Sequence, residues 1–205
     1  MVAEDEYLKR IHSYSVKGFS DPSGRRGLAV FVNPKLKFRY LSEFSVRTDE
    51  YHMVTLQHKR LIVVQVYCPH GMNNSGLKEV IDKIENLADI YDDVVVCGDF
   101  NARMGIVESE GFNANGKLLK RWLKESKFFR VRLNEVTYTP KRSCLDHILT
   151  TRPEAVVKAN VCPDELNSDH KLIYVELKLN ADFGKNLHAS AQLLYGLNLN
   201  TIKSR

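Results

Sequence analysis

Three short segments of the sequence place carboxylates beside groups that could bind a metal ion or a phosphate. The first is VVVCGDFNAR, residues 94–103, in which Phe100 separates Asp99 from Asn101. In an extended chain this spacing directs Asp99 and Asn101 to one side of a sheet and Phe100 to the other. A carboxylate and a carboxamide at the mouth of a sheet suit a divalent cation and a phosphate. A turn built from the same residue types is the structural alternative.

The second and third segments supply a histidine and two more carboxylates. In NSDHKLIYVEL, residues 167–177, Asp169 and His170 precede an apolar strand. Asp169 could bind a metal or orient a histidine, and His170 titrates near neutrality, which suits a general acid or base. In TYTPKRSCLDHILTT, residues 137–151, Asp146 opens another apolar strand and could fix the tautomer of His170. Simple strand caps or solvent-exposed side chains are the alternatives for all three residues.

The elements that must position these residues follow from apolar patterning. Leu77, Val80, Ile81, Ile84, Leu87 and Ala88 recur at helical spacing after start signals at 74–76. Apolar runs rich in β-branched residues predict strands at 28–32, 53–56, 61–67, 94–97, 147–150 and 172–179. The runs 61–66 and 94–97 are uniformly apolar, so both faces of those strands should be buried. Many strands with few helices indicate an α/β fold in which two sheets form a sandwich with helices outside.

A basic segment predicts a second helix. Residues 117–132 hold seven basic residues and one acid, Glu125, a local charge of +6 in a chain whose net charge is +5. Leu118, Leu119, Trp122 and Leu123 recur at helical spacing, so we expect an amphipathic helix with a basic outer face. The alternative is that the basic face of this helix only contacts solvent and binds no partner.

Composition limits the class of protein. The chain has 205 residues and 43% apolar residues, enough for one folded domain. No run approaches the roughly 18 apolar residues of a membrane helix, and the charged N-terminus does not read as a signal peptide. The four cysteines lack disulfide or zinc spacing. We therefore expect an intracellular protein, nuclear or cytoplasmic, with no membrane contact.

Apolar patterning fades near residue 180, which predicts a domain at 1–179 and a flexible tail or linker at 180–205.

The three motifs together resemble a known superfamily. GDFNAR, then TYTP with LDHIL, then SDHKLI, in this order, resemble the endonuclease/exonuclease/phosphatase superfamily, and most of all the apurinic-type endonuclease domain of LINE-type, non-LTR retrotransposons. GRRGLAVFV, residues 24–32, and LIVVQVYCPH, residues 61–70, resemble two further strands of that fold. The resemblance covers about residues 14–179 and implies a four-layer α/β sandwich.

The resemblance implies a role for each candidate. Asp99 would position or activate the attacking water, and Asn101 would hydrogen-bond the scissile phosphate. His170 would contact the phosphate and stabilise its charge, Asp146 would hold His170, and the hydroxyl of Tyr67 would reach the phosphate.

The resemblance also implies a magnesium ion, for which manganese is expected to substitute. Asp169 would contribute to the metal site, and Glu4 or Glu6 in AEDEYL is the candidate for the principal glutamate ligand. The opening strand of the superfamily fold has no counterpart before Tyr14, so we expect that strand to be missing and a sheet edge to be exposed. Impaired activity and dimerisation through that edge would follow.

The implied reaction is hydrolysis of one DNA strand to leave a 3′ hydroxyl. A reverse transcriptase in the same polyprotein is an expected partner. The residues expected to contact DNA phosphates are basic: Arg103, Lys120, Arg121, Lys124, Lys141 and Arg142. Two alternatives stay open. One is a superfamily enzyme acting on lipid, inositol phosphate or RNA, and the other is a catalytically weak or silent, N-terminally truncated copy that binds nucleic acid or protein.

Overall fold

The fold was analysed in a computed structural model that describes residues 15–20, 27–32, 36–105, 111–133, 135–162, 168–178 and 188–191. Twelve strands and two α-helices occur in these ranges. The strands are β1 (Ser15–Ser20), β2 (Gly27–Val32), β3 (Arg39–Tyr40), β4 (Val46–Arg47), β5 (His52–His58), β6 (Leu61–Tyr67), β7 (Asp93–Asp99), β8 (Phe129–Arg130), β9 (Asp146–Thr150), β10 (Val156–Val161), β11 (Ile173–Lys178) and β12 (His188–Ala191). The helices are α1 (Asn74–Ile90) and α2 (Ala114–Glu125), with 3₁₀ turns at Ser42–Phe44 and Pro153–Ala155.

A seven-stranded sheet forms the centre of the molecule. Its order is β3-β5-β6-β7-β9-β8, with β4 also paired to β5. The β6–β7 pair is parallel and α1 connects the two strands, whereas the other pairs are antiparallel. The last residues of β6 and β7 therefore lie beside the first residue of β9 at one end of the strands. We call this end of the sheet the catalytic edge because the predicted site residues Tyr67, Asp99 and Asp146 lie there.

Both helices cover one face of this sheet. Leu77, Val80, Ile84 and Leu87 of α1 pack with Leu119 and Trp122 of α2 against the apolar side chains on that face of β6 and β7. The helical spacing in the sequence predicts this stripe, because residues three and four positions apart share one side of a helix.

Smaller sheets cover the opposite face. Leu61, Val63, Val95, Cys97 and Ile148 of the central sheet form a second core with Val161 of β10 and with Ile173, Val175 and Leu177 of β11. The β1–β2 hairpin is a separate two-stranded sheet, and its Leu28 and Val30 pack on Val54 and Leu56 of β5. Strands β6 and β7 are thus buried on both faces, as their uniformly apolar sequences predict.

The predicted two-sheet α/β sandwich with helices is confirmed. In the described ranges both α-helices lie on one face of the central sheet and the smaller sheets lie on the other. Helices, central sheet and smaller sheets make three of the four expected layers. The six predicted strands and the first helix are present. The sequence patterns missed six strands: β1, β3, β4, β8, β10 and β12. Strand β10 lacked an apolar pattern because its middle residues are exposed.

The two ends of the chain bear on the remaining fold predictions. Within the predicted tail, His188–Ala191 forms β12 and pairs antiparallel with β11, while the domain boundary at residue 179 stays a prediction. Residues 1–14 lie outside the described residues. They include the candidate ligands Glu4 and Glu6, and the expectation that the opening strand is missing concerns this same segment, so both stay predictions. No helix in the described part is long and apolar enough to cross a membrane.

Gly98 allows β7 to approach β6 immediately before the catalytic edge. Its φ is +149°, and a Cβ at this position would lie 1.9 Å from the carbonyl oxygen of Val66. No side chain fits such a distance, so glycine is required at the position that precedes Asp99.

We expect Gly98→Ala to destabilise the fold by about 3 kcal/mol, because the added Cβ must push β7 away from β6 and strain the backbone. Gly111→Ala is the matched control, since an added Cβ there meets no atom within 4 Å. The free energy of unfolding of the control, measured by urea denaturation, should stay within about 0.5 kcal/mol of the wild-type value. Equal unfolding free energies for the two variants would contradict this account of the close approach.

Candidate active site

Strand register places three of the predicted site residues in one row across the sheet. Tyr67 at the end of β6 pairs with Asp99 at the end of β7, and Asp99 pairs with Asp146 at the start of β9. Residues that pair in register project to the same face of a sheet, here the face covered by the smaller sheets. His52 of β5 pairs with Tyr67 and extends the row, with its ring centre 6.0 Å from the Tyr67 ring centre.

Asp99 and Asn101 meet through a turn and not through an extended segment. Asn101 has φ +46°, and its backbone N–H donates to Asp99 Oδ1 at 2.8 Å. Its side-chain Nδ2 donates to Asp99 Oδ2 at 3.1 Å and to the Cys68 carbonyl at 2.7 Å. The predicted extended geometry is therefore wrong, because an Asp side chain that caps the amide two residues on favours a turn. Phe100 is buried in the helix-side core, as predicted.

His170 is held between two buried carboxylates. Its Nδ1 lies 2.9 Å from Asp146 Oδ2, and its Nε2 lies 4.0 Å from Asp99 Oδ2. The hydrogen bond between His170 and Asp146 that the sequence suggested is thus present. Because the carboxylate accepts at Nδ1, the imidazole carries a hydrogen there, and Nε2 faces Asp99.

The carboxylates favour the charged form of His170. Burial alone would lower the pKa of this imidazole, but the hydrogen bond and charge of Asp146, with the charges of Asp99 and Asp169, outweigh burial and raise the pKa to about 9. His170 is therefore an imidazolium at neutral pH and can stabilise negative charge on a bound phosphate.

The pKa of Asp99 is also raised, but for a carboxyl group a raised pKa favours the neutral form. Burial is the largest cause that raises the pKa of Asp99 well above its ordinary value, and repulsion from Asp146 adds to it. His170 and the hydrogen bond from Asn101 oppose the rise without cancelling it. A carboxylate with a raised pKa is a stronger base, which suits the removal of a proton from water.

Asp169 adds negative charge at the rim of the site. Its side chain is exposed, and its backbone carbonyl accepts from Thr139 at 2.9 Å. No group of three or more His, Cys, Asp or Glu residues in the described ranges is arranged to hold a metal ion. The carboxylate oxygens suit magnesium in kind, but the described residues do not assemble a complete ligand set.

The loop at 137–143 forms the wall beside His170, and two of its residues were not predicted. The hydroxyl of Thr137, fully buried, accepts from the backbone N–H groups of Leu145 and Asp146 at 3.0 and 3.1 Å. The ring of Tyr138 lies 4.9 Å from that of His170, centre to centre. Sequence patterns gave no signal for these contacts, because they form only when β9 and the segment before β11 come together.

The predicted basic residues fall into two groups. Lys141 and Arg142 are exposed on the tight turn of this loop, in which the backbone of Tyr138 bridges to His170. The second group lies on or beside α2, which ends at Glu125, so the predicted helix over 117–132 is wrong beyond that residue. The backbone of Phe129–Arg130 instead pairs with β9, which replaces the helical hydrogen bonds.

Helix α2 begins beside the catalytic edge and runs away from it. Lys120, Arg121 and Lys124 are exposed on this helix. At about 1.5 Å per residue, each lies farther from the site than the one before. At the far end, Lys127 pairs with Asp89 near the end of α1 at 2.9 Å, on the side opposite the site.

Asn113 joins the start of α2 to the turn at 99–101, which we call the catalytic loop because it carries the proposed catalytic Asp99. Its Oδ1 accepts from the N–H groups of Arg103 and Gly116, both at 2.8 Å, and its Nδ2 donates to the Asn101 carbonyl at 2.7 Å. A Cβ at Gly116 would lie 1.7 Å from the Arg103 carbonyl, so the helix and the loop are in direct backbone contact. Asparagine before a helix with glycine three residues on is an N-cap pattern, which was the available signal for Asn113.

Comparison with solved structures identifies the fold. The endonuclease domain of TRAS1, a telomere-specific non-LTR retrotransposon, superposes with a TM-score of 0.60 at 18% identity, covering 80% of this chain and 79% of that one. The 3′-5′ exonuclease NExo from Neisseria meningitidis gives 0.61 at 14% identity, covering 82% and 80%. A 3′ phosphatase NExo from Neisseria, bound to a product DNA hairpin, gives 0.60 at 12% identity, covering 84% and 82%. The fold is that of the endonuclease/exonuclease/phosphatase superfamily.

The sequence itself identifies the family. Residues 61–174, more than half of the chain, match the family described as endonuclease-reverse transcriptase. The chain belongs to this family, and its kinship with hydrolases supports hydrolase activity. No curated protein matches the chain significantly in sequence.

We expect Asn113→Asp to lower kcat about 10- to 100-fold on a cleavable nucleic acid while leaving KM little changed. Aspartate keeps the oxygen that caps α2 but loses the N–H donor to the Asn101 carbonyl, so the loop that orients Asp99 loosens. Asn113→Ala, the comparison variant, should also lower the melting temperature because it removes the cap.

The two readouts separate positioning from capping. A wild-type kcat for Asn113→Asp would show that the bond to Asn101 does not position Asp99. An equal loss of thermal stability in both variants would assign Asn113 to the fold alone.

Proposed function

We propose that this chain is a magnesium-dependent DNA endonuclease that nicks one strand and leaves a 3′ hydroxyl. The observation that carries the proposal is the placement of His170, bonded to Asp146, opposite Asp99 at the catalytic edge of the sheet. Hydrolysis of a phosphodiester requires a base and a fixed positive charge placed close together.

Asp99 acts as the base in the proposed step. Its carboxylate takes a proton from water as the water oxygen forms a bond to phosphorus. The bond between phosphorus and the 3′ oxygen then breaks, the 3′ oxygen takes a proton from solvent water, and the phosphate remains as the 5′ phosphate of the downstream fragment. The raised pKa of Asp99 makes it a better proton acceptor than an exposed carboxylate.

Asn101 and His170 support this step in different ways. Both hydrogens of Asn101 Nδ2 are already donated, to Asp99 and to the Cys68 carbonyl, so the support it gives is to aim Asp99. His170 stabilises charge on the phosphate through Nε2, and Asp146 keeps the ring oriented. Tyr67, beside Asp99 in the row, is placed to add its hydroxyl.

Magnesium is proposed at the same edge. Asp169 would hold it together with Glu4 or Glu6, and the surplus of carboxylates around one imidazolium favours a cation there. When bound, the ion supplies Lewis-acid stabilisation of the charge on the phosphate and on the departing oxygen.

DNA is proposed as the substrate because of family and charge. TRAS1 is a retrotransposon endonuclease and the Neisseria 3′ phosphatase holds DNA, and both share this fold. Lys141 and Arg142 near His170, Arg103 next to the catalytic loop, and the basic residues on α2 supply positive charge for several phosphates.

The reaction is tested with supercoiled plasmid and magnesium. Wild type should convert plasmid to open circles, manganese should substitute, and EDTA should stop conversion. His170→Ala and Asp169→Ala should reduce nicking at least about 100-fold, because charge stabilisation and metal binding are lost. Ligase should reseal the product, since a 3′ hydroxyl and a 5′ phosphate remain.

Two outcomes would contradict the proposal. Equal nicking by wild type and the variants would show a contaminating nuclease. DNA binding without nicking at any magnesium or manganese concentration would favour a catalytically silent binding protein.

The role of the basic helix is tested by charge reversal. Lys120→Glu with Arg121→Glu and Lys124→Glu should weaken DNA binding and flatten its salt dependence, by about one unit of slope for each phosphate that is no longer bound. Lys59→Glu, in the β5–β6 turn at the opposite end of the sheet, is the control. Affinity unchanged in the triple variant would make the basic face of α2 a solvated surface.

A further inference from the structure

One exposed aromatic ring lies at the catalytic edge. Four large apolar side chains in the described ranges are strongly exposed: Ile90, Phe112, Phe129 and Val157. Ile90 and Phe129 lie toward the end of the sheet opposite the site, at the end of α1 and on β8. Phe112, 42% exposed, directly precedes Asn113, which is hydrogen-bonded to Asn101 in the catalytic loop.

The position of the Phe112 ring is fixed from several sides. Its backbone bridges to Met104, which follows the catalytic loop. Gly105 lies against the ring with φ +64°, and a Cβ there would come within 2.7 Å of a ring carbon. The Phe112 ring therefore packs against Gly105, and the bridge to Met104 fixes its position relative to the catalytic loop. A large part of the ring nevertheless faces solvent.

The ring is also paired with a positive charge. Lys120 Nζ lies 4.4 Å from the centre of the Phe112 ring. Arg121, also exposed, follows Lys120 on α2. An exposed ring beside cations suits a nucleic-acid strand, because the cations attract phosphates while the ring offers a surface to a base.

We infer that Phe112 is a stacking platform for an unpaired base of the bound strand, with Lys120 contacting an adjoining phosphate. In fully paired DNA the base faces are covered by their neighbours, so such a platform favours strands with an unpaired or unstacked nucleotide. This inference rests on the proposed function and adds to it a preference among DNA substrates.

The test compares Phe112→Ala with Phe129→Ala, which removes a similarly exposed ring at the other end of the sheet. Binding is measured in EDTA by fluorescence anisotropy, with a labelled single-stranded oligonucleotide and with the matching blunt duplex. Phe112→Ala should weaken single-strand binding about tenfold and duplex binding less than about twofold, as expected from loss of one stacked base. Phe112→Trp should retain the affinity, and Phe129→Ala should behave as wild type.

A stacking-sensitive base makes the contact directly visible. An oligonucleotide containing 2-aminopurine should be quenched by wild type and by Phe129→Ala, and less by Phe112→Ala. Melting temperatures of the variants establish that each is folded.

The outcomes separate this inference from the proposed function. Equal single-strand affinity of Phe112→Ala and wild type would overturn the platform, as would an equal loss on both oligonucleotides. Plasmid nicking that persists in wild type would then leave the endonuclease proposal standing. If wild type binds neither oligonucleotide, both fail, and a protein partner becomes the better occupant of this surface.

Discussion

The hydrogen bond between Asp146 and His170 is the interaction on which the site depends. It joins the first residue of β9 to the segment that precedes β11, two parts of the chain that are remote in sequence. Asp146 is buried, so it would be costly without a positive partner, and His170 supplies one because its pKa is raised to about 9. This pairing stabilises the fold most below the ordinary pKa of histidine, and that stability is lost as the pH rises through the raised value.

The surrounding strands, loop and helix position further site residues beside Asp146 and His170. The parallel pairing of β6 with β7 and the antiparallel pairing of β7 with β9 set Tyr67, Asp99 and Asp146 in one row. Gly98 permits the close approach of strands at that level, and Thr137 holds the backbone of Asp146 through its buried hydroxyl. Asn113 fixes the loop that carries Asn101 to the start of α2. Hydrogen bonds thereby connect the start of α2 to Asn101 and, through Asn101, to Asp99.

Local patterns in the sequence were sufficient for much of this structure. The buried runs of β6 and β7 and the apolar stripe of α1 are regular enough to be read directly, and the motif order resembles that of the superfamily whose fold was found. The pairing of Asp146 with His170 could also be anticipated, since a carboxylate and a histidine each open a strand. A turn at Asn101 was the alternative to the extended geometry, and capping by Asp99 selects it. The end of α2 at Glu125 could not be anticipated, because pairing with β9 overrides local propensity. Thr137 and Tyr138 were missed because their contacts are purely tertiary.

The most direct test of the central claim is an NMR titration of the His170 ring in metal-free protein, with Asp146→Asn as the comparison. The account predicts that the wild-type imidazole keeps its second proton until about pH 9. In Asp146→Asn the pKa should fall by about one to three units, because the largest single stabilising partner is neutralised. A wild-type midpoint near the ordinary value of about 6.5, or no change in the variant, would contradict the account.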